Sequence, residues 1–187
     1  FDGDEPSNVV KGQWPVLDSP MSVALDEATS KMAALQSRPA LAQLPAVFDQ
    51  QRMLADVSAL AAPEMEGRGL ATQGLEKAAQ YIATAFRAAG LKPGVPGSGS
   101  YFQEWTEYVG GLGHDVTMKN VVGYIPGNNP AMAGQSVVIG AHYDHLGLGW
   151  PDVREGNQGK LHNGADDNAS GIAVMLELAR IAAKGGQ

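Results

Sequence analysis

Residues Ala169 to Ala183 would be apolar on nearly every face of a helix, with only Glu177, Arg180 and Lys184 forming a narrow polar stripe. A helix patterned this way has to be packed from several sides rather than laid on a surface. Ser136 to His142 adds a matching constraint, because a short, nearly continuous apolar run suits a strand buried on both faces of a sheet. The polar, glycine-containing stretch between them completes a strand-loop-helix unit, which belongs in a layered α/β domain.

The preceding chain supplies further layers. Asp49 to Ala62 reads as a helix with Met53, Leu54, Val57 and Leu60 on one face and Pro63 as its stop. After a polar loop from Glu64 to Gln73, the positions Leu75, Ala78, Ala79, Ile82, Phe86 and Ala89 give the clearest helical spacing, and Gly90 suits its C-terminal cap. Pro93 to Gly99 is a loop. Tyr101 to Val109 and Val116 to Ile125 read as strands, the second ending at the turn Pro126-Gly127-Asn128-Asn129-Pro130. Phe1 to Pro20 is polar and proline-bearing, hence irregular, and Ser22 to Arg38 has helical spacing. Residues 1–48 are therefore read as a partly helical N-terminal extension, and 49–187 as the body.

Composition narrows the function classes. A net charge of -7 offers no basic patch for phosphates, which argues against nucleic acid as a partner. The absence of cysteine removes disulfides, thiolate metal sites and cysteine nucleophiles together. No run reaches the length of a membrane span. The chain begins at Phe1 rather than Met, which suggests a processing boundary and an extracytoplasmic location, secreted or periplasmic, as an expectation.

Chemistry concentrates in two clusters, Ala141-His142-Tyr143-Asp144-His145 and Asn163-Gly164-Ala165-Asp166-Asp167-Asn168-Ala169-Ser170-Gly171. At the end of a strand, residues i and i+2 share a face, so the His142 imidazole and the Asp144 carboxylate can converge. A carboxylate on the far nitrogen of a metal-bound histidine fixes its tautomer and raises its basicity. His-x-Asp alone is also what an ordinary polar strand end looks like. Asp166 and Asp167 precede a helix whose first turn Asn168 or Asp167 can cap, which is a common arrangement without any metal. Together, however, the two carboxylates, His162 nearby and the upstream His-x-Asp form a donor set suited to Zn²⁺, and a carboxylate can bridge two ions.

Gly140-Ala141-His142-Tyr143-Asp144-His145-Leu146-Gly147 followed by Asn163 to Gly171 resembles the co-catalytic di-zinc aminopeptidases, a family that also includes glutamate carboxypeptidases. Glu66-Gly67-Arg68 with the helix after it, Gly90-Leu91-Lys92-Pro93, and Asn120-Val121-Val122-Gly123 resemble that family's opening segments. The resemblance covers about residues 50 to 187. It implies an α/β three-layer sandwich around a mixed β-sheet, two Zn²⁺ ions and a peptide substrate. It implies His142 as a zinc ligand, Asp144 as the catalytic aspartate that orients it, Asp167 as the carboxylate bridging both metals, and Asp166 as a supporting residue. His145 and His162 match no ligand position, and His114 reads as a surface residue. Glu66 and Arg68 resemble a structural anchor, either an ion pair or a turn.

In that family a glutamate base, an adjacent acidic ligand, another carboxylate and a terminal histidine follow the helix that here ends near Lys184. Glu177, on the polar stripe, is a poor substitute. The expectation is therefore the N-terminal half of a catalytic domain, with an apolar face open to the missing half or to self-association. The activity implied is exopeptidase, chiefly aminopeptidase, hydrolysis through a zinc-activated water. The alternatives are an incomplete binding module and a relative resembling glutaminyl cyclases.

Overall fold

The structure, a computed structural model, describes residues 47–149 and 155–185. The readings made above for Phe1 to Pro20 and for Ser22 to Arg38 lie outside those residues.

Helix α1 spans Gln50–Leu60, and the Asp49 side chain caps it by accepting from Arg52 N at 3.0 Å. A short 3₁₀ segment, Pro63–Arg68, follows at once. Helix α2 spans Gln73–Ala89, with Thr72 Oγ1 accepting from Leu75 N at its start and Gly90 in the left-handed region (φ 87) at its end. Both caps are the ones that the residue types favour. α2 buries Ala78, Ala79, Ile82, Ala83 and Phe86, the face its spacing defines. Helix α3, Ser170–Gly185, packs against α1 and α2 and buries Ile172, Ala173 and Leu176. Leu60, Ile82, Phe86, Leu91, Tyr101 and Leu176 belong to the resulting core.

Among the described residues the strands form two antiparallel ladders. β1 (Lys92–Pro93) pairs with β4 (Gly123–Tyr124). β2 (Phe102–Val109) pairs with β3 (His114–Val121), in a register running from Phe102 opposite Val121 to Val109 opposite His114. The expected strand over Val116 to Ile125 is thus split at Val122. Its N–H donates to Tyr101 O (2.7 Å) while its carbonyl accepts from Gly94 N (2.9 Å), so one residue serves two ladders. His114 opens β3 and is exposed, the surface position read for it. The α/β class stands, and the two small sheets described here are both antiparallel.

One reading is corrected. Ser136 to His142 is not a buried strand: it joins no ladder, and Val137 and Val138 are 89% and 90% exposed. A run buried on both faces needs neighbours for its backbone groups and layers for its side chains, and neither described ladder offers them. The run instead flanks an apolar cleft of about 770 Å³ whose walls include Ile82, Phe86, Val121, Ile172 and Met175. α3 is likewise covered less than its composition implies, since Val174 is 40% exposed.

Another part of the core, away from the cleft's lining residues, is held by charge. The Glu177 carboxylate has no exposed surface and accepts from Asp49 N (3.0 Å), Arg52 Nε (3.1 Å) and Arg180 Nη1 (3.4 Å). Arg180 reaches on to Asp56 (2.7 Å), which also accepts from Tyr81 OH (2.7 Å), so three helices share one network. The Arg52 hydrogen bond, backed by Asp49 N–H and Arg180, holds the Glu177 carboxyl down at about 2 against the opposing effect of burial.

Two predictions follow from this arrangement. A depressed carboxyl contributes stability above its unfolded pKa and loses it as pH falls through the folded value. Glu177→Gln should therefore destabilise the chain by about 2–3 kcal/mol at neutral pH, and the gap to wild type should close as pH falls from about 4.5 toward about 2. A denaturant series in which the gap is independent of pH would contradict this. For the cleft, the exposed Val137-Val138-Ile139 run predicts strong binding of a hydrophobic dye and concentration-dependent association, both reduced by Val138→Lys. A monomer dark to the dye would show the face to be covered.

Candidate metal centre

The turn Glu66-Gly67-Arg68 has all three residues in the left-handed region, at φ 50, 59 and 51. A non-glycine residue there costs about 1–2 kcal/mol, so surrounding contacts must hold it. Glu66 does so from one side, its carboxylate accepting from Gly74 N (2.6 Å) in the first turn of α2. The turn's backbone then takes hold of the first cluster: His145 N donates to Arg68 O (3.0 Å) and Gly147 N to Gly67 O (3.1 Å). Gly147 O in turn accepts from His162 N (2.9 Å). Gly67 has to be glycine, because a Cβ would collide with His162 O and lie 2.8 Å from Gly147 O.

The Arg68 side chain is wholly buried. Its Nε donates to Tyr143 O (2.7 Å), Nη1 to Leu60 O (2.5 Å) and Asn163 O (2.9 Å), and Nη2 to Gly164 O (2.6 Å), with Asp167 O at 3.4 Å. Burial lowers its pKa from the usual arginine value, while the charges of Asp144 and Asp167 act the other way. Glu66 and Arg68 are therefore separate anchors of a turn rather than an ion pair.

Above this turn, Nδ1 of His142 lies 3.3 Å from Asp144 Oδ1 and 3.2 Å from Asp144 O, and its Nε2 lies 3.1 Å from Asp167 Oδ1. The other oxygen of Asp167 is 3.6 Å from His145 Nδ1. His145 is mostly buried, and burial pushes its pKa down against the pull of Asp167. The Asp167–Asn168 peptide is cis. Asn168 caps α3, its Oδ1 accepting from Gly171 N (3.2 Å), and its amide donates to His142 O (3.3 Å). The irregular turn Ala165–Ala169 carries Asp166, whose carbonyl accepts from Ser170 Oγ (2.7 Å) while its side chain is exposed and makes no hydrogen bond among the described residues. His162 stands beside His145, with ring centroids 6.4 Å apart.

The geometry brings His142, Asp144 and Asp167 together and leaves the Asp166 side chain outside. The premise that His142 ends a strand fails, yet the His142 and Asp144 side chains still meet, because the turn below fixes the loop that bears them. Two features were not legible in the pattern. Arg68, in a polar loop, reads as a surface residue by type, and only the family resemblance marked it as an anchor. His145 matched no role, and it packs beneath Asp167. The only sequence signal for the turn was its glycine, set between a carboxylate and a cation.

Zinc with bonds of about 2.0–2.1 Å in a tetrahedral shell places neighbouring donor atoms about 3.3 Å apart. The His142 Nε2 to Asp167 Oδ1 separation of 3.1 Å fits that spacing. Among the described residues no group of three or more such side chains stands ready around one ion, so the fit is that of a ligand pair.

Residues 120–187 match peptidase family M28, which supports the resemblance to co-catalytic zinc aminopeptidases and carboxypeptidases. Over 111 residues the chain is 33% identical to the uncharacterized protein YfbL of Escherichia coli (strain K12), an alignment covering 57% of this chain. It takes in 26% of that protein, so the chain spans about a quarter of the relative's length. No solved structure matches the chain.

Gly67→Ala should destabilise the chain by about 1–3 kcal/mol, since the atoms in its way are main chain and cannot rotate aside. Thermal melting of the variant checks this, and an unchanged midpoint would show the turn to be looser than described.

Proposed function

We propose that this chain carries part of the catalytic domain of a zinc-dependent exopeptidase, an aminopeptidase that removes N-terminal residues from peptides. The complete domain is then a three-layer α/β sandwich around a mixed sheet, acting outside the cytoplasm.

One observation carries the reading. His142 faces carboxylate oxygens from both of its ring nitrogens, Asp144 Oδ1 at 3.3 Å and Asp167 Oδ1 at 3.1 Å. With the proton on Nδ1 shared with Asp144, the Nε2 lone pair points at another acceptor. Two acceptors at that distance repel unless a positive charge, proton or metal, lies between them. The match to family M28 favours the metal.

In this reading His142 and Asp167 are ligands, Asp167 being the bridging carboxylate, and Asp144 sets the His142 tautomer. Bound zinc lowers the pKa of water and polarises a scissile carbonyl. The chain's own part is to hold the donors. Asp144 keeps Nδ1 protonated so that Nε2 stays free to ligate, His145 supports the second oxygen of Asp167, and Asn168 ties the Asp167 loop to His142 O. Asp166 lends negative charge beside the bridge. The general base belongs to the residues that complete the site, and Glu177, locked to Arg52 and Arg180, is not available for it.

The test is Zn²⁺ content of the purified 187-residue chain after dialysis, paired with hydrolysis of peptides that have a free N-terminus once the site is completed. Binding should fall at least tenfold, roughly 1.4 kcal/mol, in His142→Ala and in Asp167→Ala, and activity should vanish with it. Wild type retaining no more zinc than the His142→Ala chain would refute the metal site. Cyclisation of an N-terminal glutamine without cleavage would move the assignment to a cyclase-like reaction.

A further inference from the structure

The two halves of the ligand pair sit on loops that share no ladder and no helix. One guanidinium joins them. Arg68 Nε holds Tyr143 O, the carbonyl between His142 and Asp144, at 2.7 Å. On its other edge, Nη1 holds Asn163 O at 2.9 Å and Nη2 holds Gly164 O at 2.6 Å, with Asp167 O at 3.4 Å. A planar fork with fixed donor directions works as a spacer between two backbone segments, which a flexible ammonium cannot do. The spacer is itself clamped. Nη1 also binds Leu60 O at the end of α1, and the left-handed turn that launches Arg68 is tied to α2 through Glu66.

We propose that Arg68 is the positioning residue of the metal centre: its buried guanidinium sets the separation of the His142 and Asp167 loops, and with it the metal affinity of the pair. The inference rests on the metal reading given above. It is distinct from an effect of charge. A cation beside a metal site weakens binding, so deleting the Arg68 charge alone would raise affinity, whereas loosening the spacer lowers it. Ligand pairs are sensitive to displacements of about 0.5 Å, and a lysine can reach only some of the five carbonyls at once.

The experiment is a Zn²⁺ titration by calorimetry of wild type, Arg68→Lys and Glu177→Gln, with circular dichroism and thermal melting of each metal-free chain. Arg68→Lys keeps the charge and loses the fork, and it should bind Zn²⁺ at least tenfold more weakly. Glu177→Gln, in the middle of α3 and bonded to Arg52, Arg180 and Asp49 N rather than to either ligand loop, should lower the melting temperature and leave Zn²⁺ affinity unchanged. That contrast separates positioning from general loss of stability. A folded Arg68→Lys chain that binds as tightly as wild type overturns the inference and leaves the metal reading intact. A wild-type chain without Zn²⁺ affinity removes both. If Arg68→Lys does not fold, Glu66→Ala replaces it, because losing the acceptor for Gly74 N frees the turn that launches Arg68, and the Glu66 side chain contacts neither ligand loop. Weakened binding in that folded variant supports the spacer, and unchanged binding overturns it.

Discussion

A single buried cation organises the centre of this molecule. Removing a guanidinium from water is costly unless its donors are met, and Arg68 meets them with main-chain carbonyls of Leu60, Tyr143, Asn163 and Gly164. The benefit is mutual, because carbonyls in irregular loops have no ladder to satisfy them. The loops bearing both clusters could not pass so close to the core without a donor set of this reach. The left-handed turn beneath them is tolerated for the same reason: Arg68, Glu66 and the contacts of Gly67 over-determine it.

The second buried charge is handled in the opposite way. Glu177 meets two arginines and one backbone N–H, forming an ionic network that staples α1 to α3 and, through Asp56 and Tyr81, to α2. Both Arg52 and Arg180 keep part of their surface in water, so the full penalty of a dry ion pair is not incurred. α3 is held at its start by Asn168 and the packed Ala169, and separately at mid-helix by Glu177. The cap at its start is what holds the first turn, which follows directly from the Asp167 loop.

Local rules carried the helices and missed the tertiary ones. Asp49, Thr72 and Gly90 cap where their chemistry places them, and α2 buries the face its period defines. The Val122 break was not legible, because it depends on two strands at once bidding for one residue's backbone groups. Ser136 to His142 was misread because an apolar run records what it would bury, not what is present to bury it. At the site, residue types and spacing pointed to the two clusters, and the family resemblance singled out His142, Asp144 and Asp167, but their meeting depends on Arg68, whose burial no periodicity predicts. A polar loop contains its own reason for being near the core only if one of its side chains can satisfy several backbones at once.

The contrast between buried scaffold and open ligands has a functional consequence. The side chains of His142 and Asp167 are 54% and 66% exposed, while Arg68 beneath their loops is wholly buried and His145 mostly so. A hydrated ion can therefore reach the donors without any opening of the core. Ordering costs are small as well, since the backbone on each side is already held by Arg68 and Asn168 and only short side chains need to settle. Such a pair is preformed but incomplete as a shell, so a bound ion would keep water or accept further ligands at its remaining positions. Open positions are what metal-assisted hydrolysis requires of a centre, and what a purely structural zinc site closes off. Under the metal reading proposed above, the exposure that makes the pair weak as a trap for metal is the property that would suit it to catalysis.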